Sequence, residues 1–153
     1  MSKPPFTDEL PGSVLFACTH NSIRSAMAET IMKSLYGHTV YVDSVGVLAK
    51  SIDGFAIEVL DEIGLDATKH IAKSFDDLED SSFDLIISLS PEAHHKAQEI
   101  TRTTAGETEF WNMIDPSLTE GNREMKLNEY RHVRDDLYEK IKGRFRIAPA
   151  PEV

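Results

Sequence analysis

The sequence predicts an α/β fold, a single domain built on a parallel β-sheet with helices on both faces. Three observations carry this. Short apolar runs of strand length, such as VLFA at 14–17 and FDLIISL at 83–89, alternate with stretches whose apolar residues recur at helical spacing. Strands separated by helices pair in parallel, and helices on both sides then bury the two faces of the sheet. At 153 residues and 41% hydrophobic content the chain can fill one core, and it shows no internal repeat and no second domain.

Residues 1–12 carry three of the seven prolines and are expected to form a tail. Residues 14–17 form the first strand. Helix one spans about 23–36, with Met27, Ile31 and Leu35 at i, i+4 and i+8 and Gly37 as its stop. Residues 39–45 are rich in β-branched side chains and form the second strand. Helix two begins near Asp53, places Ala56, Val59, Leu60 and Ile63 on one face, and ends at Gly64. Residues 65–82 are expected to be a loop whose acids, Asp76, Asp77, Glu79 and Asp80, form a solvated surface. Residues 83–89 make the third strand, and Ser90-Pro91 caps and starts helix three. Residues 107–111 make a fourth, shorter strand. The last helix, about 122–145, lines up Leu127, Tyr130, Val133, Leu137, Ile141 and Phe145. The terminal IAPAPEV, 147–153, is expected to be a second tail.

Composition excludes several classes. The net charge of −10 leaves no basic footprint, so nucleic acid is not an expected partner. No run approaches the ~18 apolar residues of a membrane span. The N-terminal MSKPPFTDELPG lacks the apolar core of a secretion signal. A single cysteine allows no internal disulfide and fits a reducing compartment, so the expected location is the cytoplasm. The six histidines make no metal-ligand pattern: His94 and His95 are adjacent and diverge by about 100° on a helix. No metal and no cofactor are assigned. The sequence does not specify an oligomeric state.

The stretch SVLFACTHNSIRSAMAE, residues 13–29, carries the chemistry. A buried strand that turns into a helix through a polar loop gathers backbone N–H groups at the helix start, where they bind anions. Cys18 stands at the strand end, facing that positive pole, where thiols ionise more readily and become nucleophiles. Arg24 offers a planar fork of donors matched to a tetrahedral oxyanion. Asp115 falls just past the fourth strand, next to Pro116. In a parallel sheet ligands gather at the carboxyl ends of the strands, so one crevice can hold both Cys18 and Asp115. Asp135 and Asp136 are weaker acid candidates, because they fall within the last helix.

Cys-x5-Arg-Ser followed by Met-Ala-Glu, with Asp115-Pro116 downstream, resembles the low-molecular-weight protein tyrosine phosphatase family. It equally resembles the thioredoxin-coupled arsenate reductases that share that fold. The likeness spans roughly residues 12–146. It implies a four-stranded parallel sheet in the order 2-1-3-4. It also implies hydrolysis of phosphotyrosine, in a protein or as an aryl phosphate, through a phosphocysteine on Cys18. Thr19, His20, Asn21, Ser22, Ile23, Arg24 and Ser25 would form the phosphate-binding loop. Ser25 would donate to the thiolate, Asn21 would brace the loop from a left-handed backbone, and Asp115 would be the general acid and base.

The chain departs from the family at several points. His20 replaces the usual glycine and would either line the rim, adding charge at low pH, or point into solvent. Ile23 replaces a second cysteine that protects the nucleophile in many members. Ser117 and Leu118 follow Asp115-Pro116 where many phosphatases have tyrosines, so these positions do not supply an aromatic wall to the phenol slot; Trp111 would supply aromatic surface there or belong to the core. Thr19, Asn21, Ser22 and the Trp-x3-Asp-Pro spacing match the arsenate-reductase branch. Some members of that branch hold potassium with the equivalents of Asn21 and Glu29. The thioredoxin-coupled mechanism needs two further cysteines, and the chain has none. Two alternatives to the phosphatase stay open: a single-cysteine arsenate reductase served by a small external thiol, and a phosphate-binding regulatory module without turnover.

Overall fold

The structure, a computed structural model, describes residues 10–145. Residues 1–9 of the expected tail 1–12, and the whole of the expected tail 147–153, lie outside the described residues. Residues 10–12 are held: Leu10 packs on the core, and the Gly12 N–H donates to Asp84 Oδ2 at 2.8 Å.

The strands are β1 (Ser13–Cys18), β2 (Tyr41–Gly46), β3 (Leu85–Ser88) and β4 (Glu107–Phe110), and the long helices are α1 (Arg24–Tyr36), α2 (Gly54–Asp61), α3 (Pro91–Thr101) and α4 (Arg123–Arg144). The sheet runs β2-β1-β3-β4, as the resemblance implies, and every pairing is parallel. β1 is central and its residues 14–17 are wholly buried, which explains why it shows no polar alternation. Successive side chains serve opposite faces. Val14 and Phe16 join Met27, Ile31, Leu137 and Ile141 in a core roofed by α1, α2 and α4. Leu15 and Ala17 join Val45, Ile86, Ala93 and Ala97 under α3.

Three helices begin with a side-chain cap. Asp53, Ser90 and Asn122 accept from the N–H groups of Phe55, Ala93 and Met125 respectively. α1 is preceded by Ile23, which offers no side-chain cap, so its first N–H groups are left without a capping side chain. α4 is tied to α2 by ion pairs, in which Arg131 and Arg134 share Glu62. Among the described residues no helix is long and apolar enough to cross a membrane.

The differences from the sequence reading are local. β2 starts at Tyr41, because the N–H groups of Thr39 and Val40 bond back to the Tyr36 carbonyl. α2 stops at Asp61, and Gly64 takes a left-handed φ of 80° in the turn that follows. The expected loop 65–82 carries a short 3-10 turn, Phe75–Asp77, that buries Phe75 against the α3 face. The turn's approach lays Lys73 beside the end of β2, where its carbonyl accepts from the Gly46 N–H at 2.8 Å. The acids of that segment, Asp76, Asp77, Glu79 and Asp80, are all exposed, as expected of a solvated surface.

Candidate active site

The ends of the strands build the site. Register sets Cys18, the last residue of β1, opposite Gly46, the last of β2. From there the β2 exit follows the loop closely. Val47, Leu48 and Lys50 donate their N–H groups to the carbonyls of Cys18, Thr19 and His20 at 2.9–3.0 Å. Gly46 makes this approach possible. A Cβ there would come within 2.4 Å of the Leu48 carbonyl oxygen and 2.6 Å of the Asn21 nitrogen, both backbone atoms.

Cys18 is buried, and its sulfur has two hydrogen-bonding neighbours. Ser25 Oγ lies 2.9 Å away, and the Asn21 N–H donates at 3.3 Å. Both can donate to a charged sulfur, which is the form that attacks. Arg24 is largely buried. Its Nη1 donates to the Met113 carbonyl at 3.1 Å and its Nη2 to Thr19 Oγ1 at 3.5 Å. Nη2 also stands 4.0 Å from Asp115 Oδ2. On the other carboxylate oxygen, Oδ1, Ser117 donates twice, from its N–H at 2.9 Å and its hydroxyl at 2.7 Å. Cys18, His20, Ser22, Ile23, Arg24, Asp115 and Ser117 line one small crevice. Thr19 turns aside, its hydroxyl reaching Ser90 Oγ at 3.1 Å and Glu92 Oε2 at 3.3 Å.

Behind the loop stands a buried polar brace. Asn21 is the sole non-glycine residue with positive φ among those described, at 56°, and it is fully buried. The Lys73 N–H must donate, so the Asn21 oxygen faces it at 3.0 Å. That fixes the amide, whose nitrogen then donates to Ser25 Oγ and Ser44 Oγ, both at 2.8 Å. Ser44 in turn hydrogen-bonds the Glu29 carboxylate. His70 Nε2 lies 3.2 Å from both the main-chain and side-chain oxygens of Asn21, so that nitrogen carries a hydrogen. Its Nδ1 is 3.8 Å from Glu29 Oε1. Lys33 Nζ closes on Glu29 Oε2 at 2.5 Å, and Lys73 pairs with Asp43 at 2.5 Å. The potassium position of some arsenate reductases therefore does not fit this chain: side-chain cations and donors already occupy the oxygens of Asn21 and Glu29.

The sequence candidates thus separate. Cys18, His20, Ser22, Ile23, Arg24 and Asp115 share the crevice. Asn21 and Ser25 support it from behind, and Asp135 is spent on Arg134 at 2.8 Å. Trp111 packs on Phe16 with ring centroids 6.3 Å apart and donates to Glu109, so it belongs to the core side of the sheet end. Leu48, Ile114 and Leu118 are strongly exposed on the two segments that flank the crevice. Tyr130 donates to Asp53 Oδ2 at 3.1 Å. Burial, then the charge of Asp53, pushes its phenol well above the usual range, so it stays protonated. The sequence reading missed Glu29's brace partners Ser44 and His70, and it missed the Met113 carbonyl. Wider clefts along the outer edge of β2, both lined by Tyr41, Asp43 and Lys73, contain none of Cys18, Arg24 and Asp115.

The family model described as low molecular weight phosphotyrosine protein phosphatase matches residues 13–146. An arsenate reductase of Halalkalibacterium halodurans is 32% identical over 130 residues, covering 84% of this chain and 91% of that protein. Among solved structures, an arsenate reductase in its oxidised state superposes with a TM-score of 0.74 at 25% identity, covering 88% of this chain and 96% of the other. The tyrosine phosphatase amsI of Erwinia amylovora shares the fold with a TM-score of 0.71 at 21% identity, covering 92% and 94%.

Proposed function

Because the chain belongs to the low molecular weight phosphotyrosine protein phosphatase family, we propose that it hydrolyses phosphomonoesters, acting on phosphotyrosine or related aryl phosphates through a phosphocysteine. The observation that carries this is the position of Asp115. An acid opens onto the same crevice as the Cys18 thiol and the Arg24 guanidinium, and ester cleavage needs an acid where a bare oxyanion site does not.

In this reading Cys18 Sγ attacks phosphorus in line. The S–P bond forms as the P–O bond to the leaving group breaks, and Asp115 gives the leaving oxygen its proton. Two donors from Ser117 already load Oδ1, so Oδ2 is the oxygen that carries the proton. The Arg24 fork and the N–H groups of the 19–24 loop other than that of Asn21 hold the equatorial oxygens, whose charge is greatest at the transition state. Ser25 and the Asn21 N–H stabilise the sulfur as it leaves again. Water, deprotonated by Asp115, then attacks phosphorus, the S–P bond breaks, and phosphate and the thiolate are restored.

The names of the similar proteins favour a second reading, reduction of arsenate. Taking arsenic from the +5 to the +3 state requires two electrons, which two thiols supply as they become a disulfide. Cys18 is the chain's only thiol, so the second would come from a small external thiol.

One preparation tests both. Aryl phosphate hydrolysis is measured beside arsenate-dependent oxidation of added thiol, with Asp115→Asn as the variant. Phosphorylation of Cys18 from phosphotyrosine should fall ~10²–10⁴-fold in Asp115→Asn, and that from a nitrophenyl ester, whose leaving group needs little help, should fall far less. Equal, small effects on both esters reject the acid role. Thiol oxidation by arsenate with no ester hydrolysis overturns the phosphatase reading.

A further inference from the structure

We propose that the His20 imidazole is a proton-linked ligand of the bound oxyanion, so that the crevice grips a tetrahedral dianion more tightly as the pH falls. The proposal rests on the reading of the crevice as an oxyanion site. His20 follows the nucleophile by two residues and is a half-buried part of the crevice wall. Its main chain is pinned: its carbonyl accepts from the Lys50 N–H at 2.9 Å, and its carbonyl carbon lies against Gly46, 2.6 Å from where a Cβ would sit. The residue is therefore kept beside the anion position. Its ring, unlike those of His70, His95 and His132, has no hydrogen bond or ion pair with any described residue. The donor it carries is unspent, and the space it borders is the one an anion would fill.

Charge balance gives the linkage its sign. The titratable or charged groups that share the crevice are Cys18, Arg24 and Asp115. Lys50 follows on the segment bonded to the His20 carbonyl, Glu92 reaches the loop from α3 at Thr19, and His70 reaches it from the 65–74 segment at Asn21. A dianion placed among these meets one guanidinium, opposed by the carboxylate of Asp115. Protonating His20 adds a second positive donor on the wall. Anion binding then favours the imidazolium, and by reciprocity the imidazolium favours the anion. Histidine is the side chain whose charge changes between about pH 5 and 8, so the two states are compared at pH 5.5 and pH 8.

Sulfate is the probe, because it stays a dianion across this range. The host is Cys18→Ser, which removes thiol titration, and Asp115 is present in every arm. Calorimetry should show sulfate binding to Cys18→Ser roughly tenfold tighter at pH 5.5 than at pH 8, as one charge-assisted hydrogen bond provides. Adding His20→Asn should flatten this dependence. Adding His20→Arg, a cation at both pH values, should carry the tight binding up to pH 8. Equal affinity at the two pH values in the host, or the same tightening retained with His20→Asn, overturns the proposal while leaving the oxyanion site intact. Sulfate binding to none of the three proteins overturns the oxyanion site, and the proposal falls with it. The arginine variant keeps the test decisive if the asparagine variant folds poorly: weak binding at pH 8 in that protein also counts against His20.

Discussion

Asn21→Ala strikes the brace behind the loop, and its cost is calculable. The native amide gives two hydrogen bonds, to Ser25 and Ser44, and receives two, from Lys73 and His70. At about 0.5–1.5 kcal/mol net for each, their loss sums to ~2–6 kcal/mol. Alanine must also hold the left-handed φ of 56°, which costs an ordinary side chain ~1–2 kcal/mol. We expect a loss of about 3–8 kcal/mol, a large part of the ~5–15 kcal/mol that holds a typical domain together. Urea unfolding of wild type, Asn21→Ala and Asn21→Gly measures it. Glycine relieves the backbone but removes the same four bonds, so it should fall within about 1 kcal/mol of alanine, since its looser unfolded chain offsets part of that relief. Activity under native conditions should fall in both variants, because the same side chain positions Ser25 against the Cys18 sulfur. A loss below about 1 kcal/mol in both variants would refute the brace.

Three further outcomes are expected. Arg24→Lys keeps the charge but cannot reach the Met113 carbonyl and Thr19 while also presenting a fork, so kcat should drop at least about tenfold; a variant within about threefold of wild type removes the guanidinium geometry from the mechanism. The Glu62 carboxyl is held down to about 2, chiefly by the hydrogen bonds from Arg131, from an ordinary 4.5. Its folded value lies below its unfolded one, so its contribution to stability is complete above about 4.5 and is lost as the pH falls toward 2. Glu62→Gln should therefore flatten the pH dependence of unfolding in that window, and an unchanged acid slope would contradict the assignment. Peroxide-treated protein should recover only with added thiol, because Ile23 stands where a neighbouring cysteine would condense with a sulfenic acid on Cys18; full recovery in plain buffer would show another route.

The sequence makes the reactive groups legible because their residue types and local spacing do the work. Cys18 and Arg24 sit in one loop, and Asp115 follows a strand whose carboxyl end must face the same side of a parallel sheet. The brace is different. His70 and Ser44 meet Asn21 from separate parts of the chain, and Glu29 on α1 backs both of them; only the folded topology brings them within reach. No local pattern marks His70, one histidine among six in a stretch that looks like plain loop. The Met113 carbonyl leaves no trace at all, since every residue has one. Phe75 is a lone apolar residue before a run of acids, too short a signal to reveal the turn that covers the α3 face.

The Arg24 side chain finds its anchor at Met113, 89 residues further along the chain, and the acid follows two positions later. During synthesis the nucleophile, its loop and α1 therefore emerge long before the parts that arm them. Until β4 has left the ribosome and docked on β3, the nascent chain holds a thiol with neither a fixed guanidinium nor a proton donor. Contacts this distant are made late, after the cost of closing so long a loop has been met. Chains that stop short of residue 115 should accumulate as inert fragments. A time course of translation should thus show turnover appearing only near the end, long after the thiol has emerged.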